Sequence, residues 1–243
     1  MANVVVDSWD TYTANLRLIL LFSIPFLISL AIPLLASVPT YISIGGIFLR
    51  TASVFTAVDP VSTVVIIVST FLSLLFISFA FVAISLIVKS RKTRNRNTRM
   101  VLDGIEKYTT RVFAILGLYT VAIVAANLIG YYIGAEPLLT GIVGFAGFLV
   151  IFYAPTAVVI DDKRAWRAIK DSARIMADRP GYFLLWLFLI IVVLSIIDEA
   201  AFLLAGTLLS IYIVLIISSL IVLPYFVIFQ AEAYMKRFHL LRH

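Results

Sequence analysis

The chain has 243 residues, 63% of them hydrophobic and 13% charged, with a formal net charge of +6 and a mean hydropathy of +1.10. An average soluble domain is roughly 45–50% apolar, so these values exclude an ordinary soluble fold and predict an integral membrane protein. The lack of cysteine excludes disulfides, thiolate chemistry and sulfur metal ligands, and the two histidines, His239 and His243, follow the last apolar segment, which excludes an imidazole site inside the membrane.

In chain order, six apolar segments are long enough for the roughly 20 helical residues that a bilayer core requires. They are Leu18 to Val38, Val61 to Val88, Val112 to Gly134, Leu138 to Ile160, Tyr182 to Leu204 and Leu208 to Phe229. The expected fold is all-α: a polytopic bundle of six transmembrane helices, one membrane domain over residues 1–243. No basic stretch precedes the first segment and no A-x-A-like cleavage site follows it, so the first helix is expected to be retained. Pro25, Pro33, Pro155 and Pro224 lie inside segments and can kink them. Thr40 to Pro60 reads as an outer loop or as a helix lying on the outer interface. Its Ile44, Phe48 and Phe55 beside Gly45-Gly46 suit the helix.

Small residues mark packing seams. Ala122, Ala126, Gly130 and Gly134 recur every four residues in helix 3; Gly141, Gly144 and Gly147 open helix 4; Ser62, Ser69, Ser73 and Ala80 line helix 2. Such stripes let membrane helices approach closely. Asn127 is the one amide in mid-span. It must find a partner or bear a desolvation cost of about 2–7 kcal/mol, so it is interhelical glue or part of a solute path.

Basic residues set the orientation, because loops rich in Lys and Arg stay inside. Lys89 to Arg111 holds eight of them and Asp161 to Gly181 six; Arg17, Lys236, Arg237 and Arg242 share that side, and Arg50 alone faces out. A multi-pass protein of the cell membrane with both termini cytoplasmic is the expectation. Alternation then carries Asp198 and Glu199 toward the outer side, about 24 Å along helix 5 at 1.5 Å per residue. Either both acids end the helix in headgroup water, or one of them faces a polar cavity or a cation. Adjacent helical residues point about 100° apart, so both cannot line one face.

"DDKRAWRAIKDSARIMADRPG", Asp161 to Gly181, predicts an amphipathic helix in the inner interface. Ala165, Trp166, Ile169, Ala173 and Met176 recur on one face and Pro180-Gly181 ends the element. Lys163, Arg164, Arg167, Lys170, Arg174 and Arg179 are the proposed contacts to anionic headgroups. The loop from Lys89 to Arg99 is a second cationic patch, followed by a short helix from Met100 to Tyr108. Because the patch hangs directly from a span, inner-leaflet phosphate is its nearer partner and nucleic acid is not expected.

"FYAPTAVVIDDKRAWRAIKDSARIMADRPGYFLLWLF" resembles a prokaryotic group of six-helix membrane proteins of unassigned role, related to the membrane domain attached to some glycerophosphodiester phosphodiesterases. In that group a proline-bearing span runs into an acidic-basic turn, then an Ala-x-x-x-Ser helix, here Ala168 to Ser172, then the next span. "WDTYTANLRLILLFSIPFLISLAIP" is similar to the start of the group. The resemblance implies a fold and a location and hints at lipid or envelope biology; the phosphodiesterase domain has no counterpart in these residues.

No nucleotide-binding loop, metal-ligand cluster or nucleophile with its base is visible, so neither catalysis nor a cofactor is expected. Two functions stay open. One is a non-enzymatic scaffold or accessory protein that organises lipids, a second copy of itself or another membrane protein through its basic helices and small-residue seams. The other is a channel or transporter for an ion, small solute or lipid, with Asp198, Glu199 and Asn127 as its candidate site.

Overall fold

The computed structural model describes residues 2–35, 40–43, 46–49, 60–92 and 98–236. Their helices are α1 (Ala2–Ala14), α2 (Leu16–Leu35), α3 (Pro60–Lys92), α4 (Thr98–Tyr132), α5 (Glu136–Ile151), α6 (Ala154–Asp161), α7 (Ala165–Asp178), α8 (Pro180–Ile217) and α9 (Leu223–Met235), with a π turn at Ser218–Val222. Six stretches are long and apolar enough to cross a membrane: Leu16–Pro33, Thr63–Arg91, Gly104–Tyr132, Glu136–Asp161, Pro180–Gly206 and Leu209–Met235. These are the six segments expected from hydropathy, with their ends shifted by a few residues.

Several local expectations are corrected. Thr40–Ser43 and Gly46–Leu49 are not helical, while Ile44 and Gly45 lie outside the described residues. Strands β1 (Thr40–Ser43) and β2 (Gly46–Leu49) pair antiparallel, Thr40 opposite Leu49 and Ser43 opposite Gly46. Thr40, Tyr41, Ile42, Ile47 and Phe48 are β-branched or aromatic, the types that favour a strand. Arg50 to Asp59 lie outside the described residues, as do the expected cations Arg94, Arg96, Arg237 and Arg242. The short helix at Met100 to Tyr108 is not separate, because α4 runs unbroken from Thr98 into the third span. Gly104 does not interrupt it and instead meets Leu86, whose Cδ1 would lie 3.1 Å from an added Cβ.

The segment ahead of the first span is itself helical. In α1, Val4, Ser8, Thr11 and Tyr12 are buried at helical spacing and this face packs on α9. Asn15 then turns the chain into α2, its amide donating to Thr11 O at 3.0 Å.

Pro155 breaks the fourth span. Helix α5 ends at Ile151, and α6 starts two residues later with Ala154 through Val159 all buried. This short helix is the hub of the bundle, touching α3, α4, α7 and α9. Around it sits the main core, which includes Val82, Ala83, Val112, Ile115, Phe183 and Tyr234. Phe152 meets Tyr153, Trp186 and Phe183 edge-on at 4.7, 4.9 and 5.0 Å between ring centroids.

The fifth and sixth spans share one long helix, broken at Gly206. There φ is 68° and ψ −179°, a region open in practice only to glycine. Helix α8 therefore does not end at Asp198 and Glu199, one of the two readings of these acids, since six more residues follow before the break. The small-residue stripe of helix 3 is corrected too. Ala126 and Gly130 are buried against α5 while Ala122 is exposed, and Gly134, at φ 69°, forms the turn between the two helices. In α3, Ser69, Ser73 and Ala80 are buried, as a packing seam requires.

Candidate functional site

The residues expected from the sequence fall into three places. Asp198 is half-buried and Glu199 exposed on α8, and neither forms a hydrogen bond or ion pair among the described residues. Asn127 is buried on α4 and gives its amide to Glu136 Oε1 at 2.9 Å and to Thr140 Oγ1 at 3.4 Å. Both acceptors belong to the first two turns of α5, so the amide ties the α4–α5 corner together. The basic residues of α7 form the third group, and it divides.

Lys163 turns inward. It lies 2.6 Å from Asp161 Oδ2 and 3.0 Å from Asp171 Oδ2, and Tyr234 donates to Asp161 Oδ2 at 2.7 Å. Burial lowers the Lys163 pKa, but the hydrogen bonds to Asp161 and Asp171 outweigh it and raise the pKa overall. Arg164, Arg167, Lys170, Arg174 and Arg179 are exposed. The buried face of α7 is the expected one only in part: Met176 is buried and Ala165 and Ile169 pack half-buried against the core. It consists of Ala168, Ser172, Ile175 and Met176, while Trp166 is 63% exposed with Lys170 Nζ 5.5 Å from its ring centroid.

That buried face serves the break in the fourth span. Pro155 and the kink leave backbone groups without helical partners. Tyr153 N–H donates to Ser172 Oγ at 2.9 Å, and the Gln230 amide donates to Phe152 O. The carbonyl and the N–H of one peptide group, between Phe152 and Tyr153, are thus satisfied by side chains from α9 and α7. The Ala-x-x-x-Ser spacing has a reason here: Ala168 is small enough to approach the bundle, and one turn later Ser172 supplies an oxygen.

At the same end of the molecule the chain gathers its charges. Asp162, left-handed at φ 52° where α6 ends, accepts from Lys107 at 2.5 Å and Arg111 at 2.8 Å. Lys89 donates to Val159 O at 2.6 Å in the last turn of α6, a favourable place for a cation. Arg91 donates to Thr11 Oγ1 at 2.5 Å, and Thr11 in turn to Glu232 Oε1 at 3.0 Å. Asp7 and Lys236 pair at 2.8 Å, so both ends of the described chain lie here. Glu232 is fully buried. Sequence reasoning gave no role to Gln230 and Glu232, although two polar residues close together near the end of the last apolar segment were a readable signal.

The charges largely satisfy one another, and among the described residues no cluster of three or more His, Cys, Asp or Glu side chains could hold a metal. The hydrogen bond from Lys107 holds Asp162 below the ordinary carboxylate range, against an opposing effect of desolvation and with Arg111 helping. A depressed acid lends stability that is complete above its unfolded pKa of about 3.9 and is lost as pH falls through the folded value. Asp162→Asn keeps a residue tolerant of left-handed backbone and removes the charge. We expect it to cost no more than about 1 kcal/mol at pH 7, as partly exposed pairs do. In thermal unfolding in detergent the difference should shrink as pH falls below the unfolded value and through the lower folded one.

One further feature adjoins α7. An apolar groove of about 470 Å³ lies between α5, α7 and the start of α8, walled by Phe145, Leu149, Ala173, Met176, Ala177 and Phe183 among others. Comparison with known proteins finds no matching family model, curated protein or solved structure.

Proposed function

We propose that the chain is a non-enzymatic membrane scaffold or accessory protein that organises anionic lipids, or a partner membrane protein, along its basic end. The observation that carries the reading is the division of α7. Its small face is committed to the bundle through Ser172, whereas Arg164, Arg167, Lys170, Arg174 and Arg179 stay exposed. A helix fixed on one side and cationic on the other suits the inner interface of an anionic leaflet. The positive-inside tendency then puts this end, with Asp7 and Lys236, in the cytoplasm of a cell whose membrane the six helices cross. The likeness to the six-helix prokaryotic group agrees with this reading, since its acidic-basic turn and Ala-x-x-x-Ser helix coincide with the junction.

Packing favours a scaffold over permeation. Asn127 is spent on a helix corner, and Ser23, Ser78 and Ser219 each bond to a carbonyl of their own helix at 2.6 Å, leaving those hydroxyls committed rather than lining a path.

The test is lipid content. The protein is reconstituted in bilayers of equal phosphatidylglycerol and phosphatidylcholine and re-extracted with its lipid shell. Phosphatidylglycerol should be enriched at least twofold over the bulk. Changing Arg164, Arg167, Lys170, Arg174 and Arg179 to Gln together should return the shell to the bulk ratio. A wild-type shell of bulk composition would refute the lipid reading.

A further inference from the structure

The groove beside α7 and the unpaired cations along its rim belong to one surface. All nine groove-lining residues are apolar, which suits hydrocarbon and offers nothing to a polar solute. Its volume of about 470 Å³ falls within the roughly 300–1,000 Å³ of small-molecule sites. Three turns of α7 build one wall and one rim. Lys170 precedes the wall residue Ala173 by three positions and Arg174 precedes Ala177 by three, and residues three apart are neighbours on a helix surface.

Neither cation is neutralised. Among the described residues Lys170 and Arg174 form no ion pair, whereas the neighbouring acid Asp171 is taken by Lys163. Asp178, also exposed, does not pair with Arg174. Trp166 lies on the same side, exposed to the surroundings and bearing Lys170 on its ring. An exposed tryptophan beside cations is the pattern of a membrane–water interface.

We propose that the groove between α5, α7 and α8 binds one anionic glycerophospholipid, an acyl chain lying along Leu149, Ala177 and Phe183 with its phosphate held by Lys170 and Arg174. The assignment rests on the lipid reading above and narrows it from a cationic surface to one site with one occupant. The two side chains act as charge-assisted donors to phosphate oxygens. The chain fills apolar surface that the bundle leaves uncovered. Ala173 and Ala177 are small where the hydrocarbon must pass.

Native mass spectrometry of the full chain in detergent, titrated with phosphatidylglycerol or phosphatidylcholine, tests it. The wild type should retain one phosphatidylglycerol per chain, about tenfold more tightly than phosphatidylcholine. Ala177→Phe fills the groove from an exposed position that leaves the core intact, and should weaken retention of both lipids about tenfold. Lys170→Gln with Arg174→Gln should abolish the preference for phosphatidylglycerol while leaving residual retention of either lipid. If Ala177→Phe retains phosphatidylglycerol like the wild type, the groove is not the site, although the cationic surface can still recruit lipid. If the double variant keeps the full preference, the phosphate is not held there and the proposal fails. A wild type indifferent to headgroup would remove both this site and the reading it rests on.

Discussion

Ser172→Ala should lower the stability of the protein by about 1–3 kcal/mol, the cost of a buried backbone N–H left without an acceptor. The Tyr153 N–H has Ser172 Oγ at 2.9 Å as its partner, and Ser172 is fully buried. Alanine removes the oxygen and changes little else, so the loss is not a packing effect. Gln230→Leu should cost a similar amount by stranding the Phe152 carbonyl, the other half of the same peptide group. Because the two serve the N–H and the C=O of one peptide group, the double variant should depart from additivity. Equilibrium unfolding in detergent reads all three. A Ser172→Ala protein as stable as the wild type would mean that the break satisfies itself, and that the link between α7 and the fourth span is only steric.

Gly130→Ala should be about as damaging, for a different reason. A Cβ there would lie 2.6 Å from Glu136 Cα, which is backbone and cannot rotate away. The corner between α4 and α5 must open, at about 1–3 kcal/mol for overpacking, and opening it draws Glu136 from Asn127. Gly141→Ala is the control, because an added Cβ there meets nothing within 4 Å. It should be neutral or slightly stabilising, since alanine is the better helix former. Equal losses in the two variants would show that α4 tolerates the methyl group and that the corner is not tightly built.

The six spans were legible because hydropathy over about 20 residues is a strong signal, and Gly206 and Pro155 mark their interruptions. The place of α7 was legible for the same reason: a polar, periodic stretch between two apolar ones. Its inward face was legible only in part, through Met176, Ala165 and Ile169. Periodicity turns the largest apolar side chain, Trp166, toward the protein, as is right in water. Closeness of approach competes with apolarity here: Trp166 is 63% exposed, while Ala168 and Ser172 are buried among the helices, where small size counts. The same competition hid α1, whose buried stripe contains Ser8 and Thr11 and reads as polar. The strand pair of Thr40–Ser43 and Gly46–Leu49 was obscured by an apolar content that suits either structure, where only the β-branched and aromatic types discriminate. The junction itself could not be read, because its partners are remote in sequence: Lys89 and Val159 are 70 positions apart, Asp161 and Tyr234 73, Phe152 and Gln230 78.

The docking of α1 on α9 has a consequence for how the molecule is made. Thr11 and Glu232 stand 221 positions apart, and a ribosome adds about 5–20 residues per second. For roughly 10–45 s the nascent first helix has no α9 to receive Val4 and Tyr12. It must wait on the bilayer surface or under a chaperone until the last helix emerges. A helix translated early thus settles only after one translated much later.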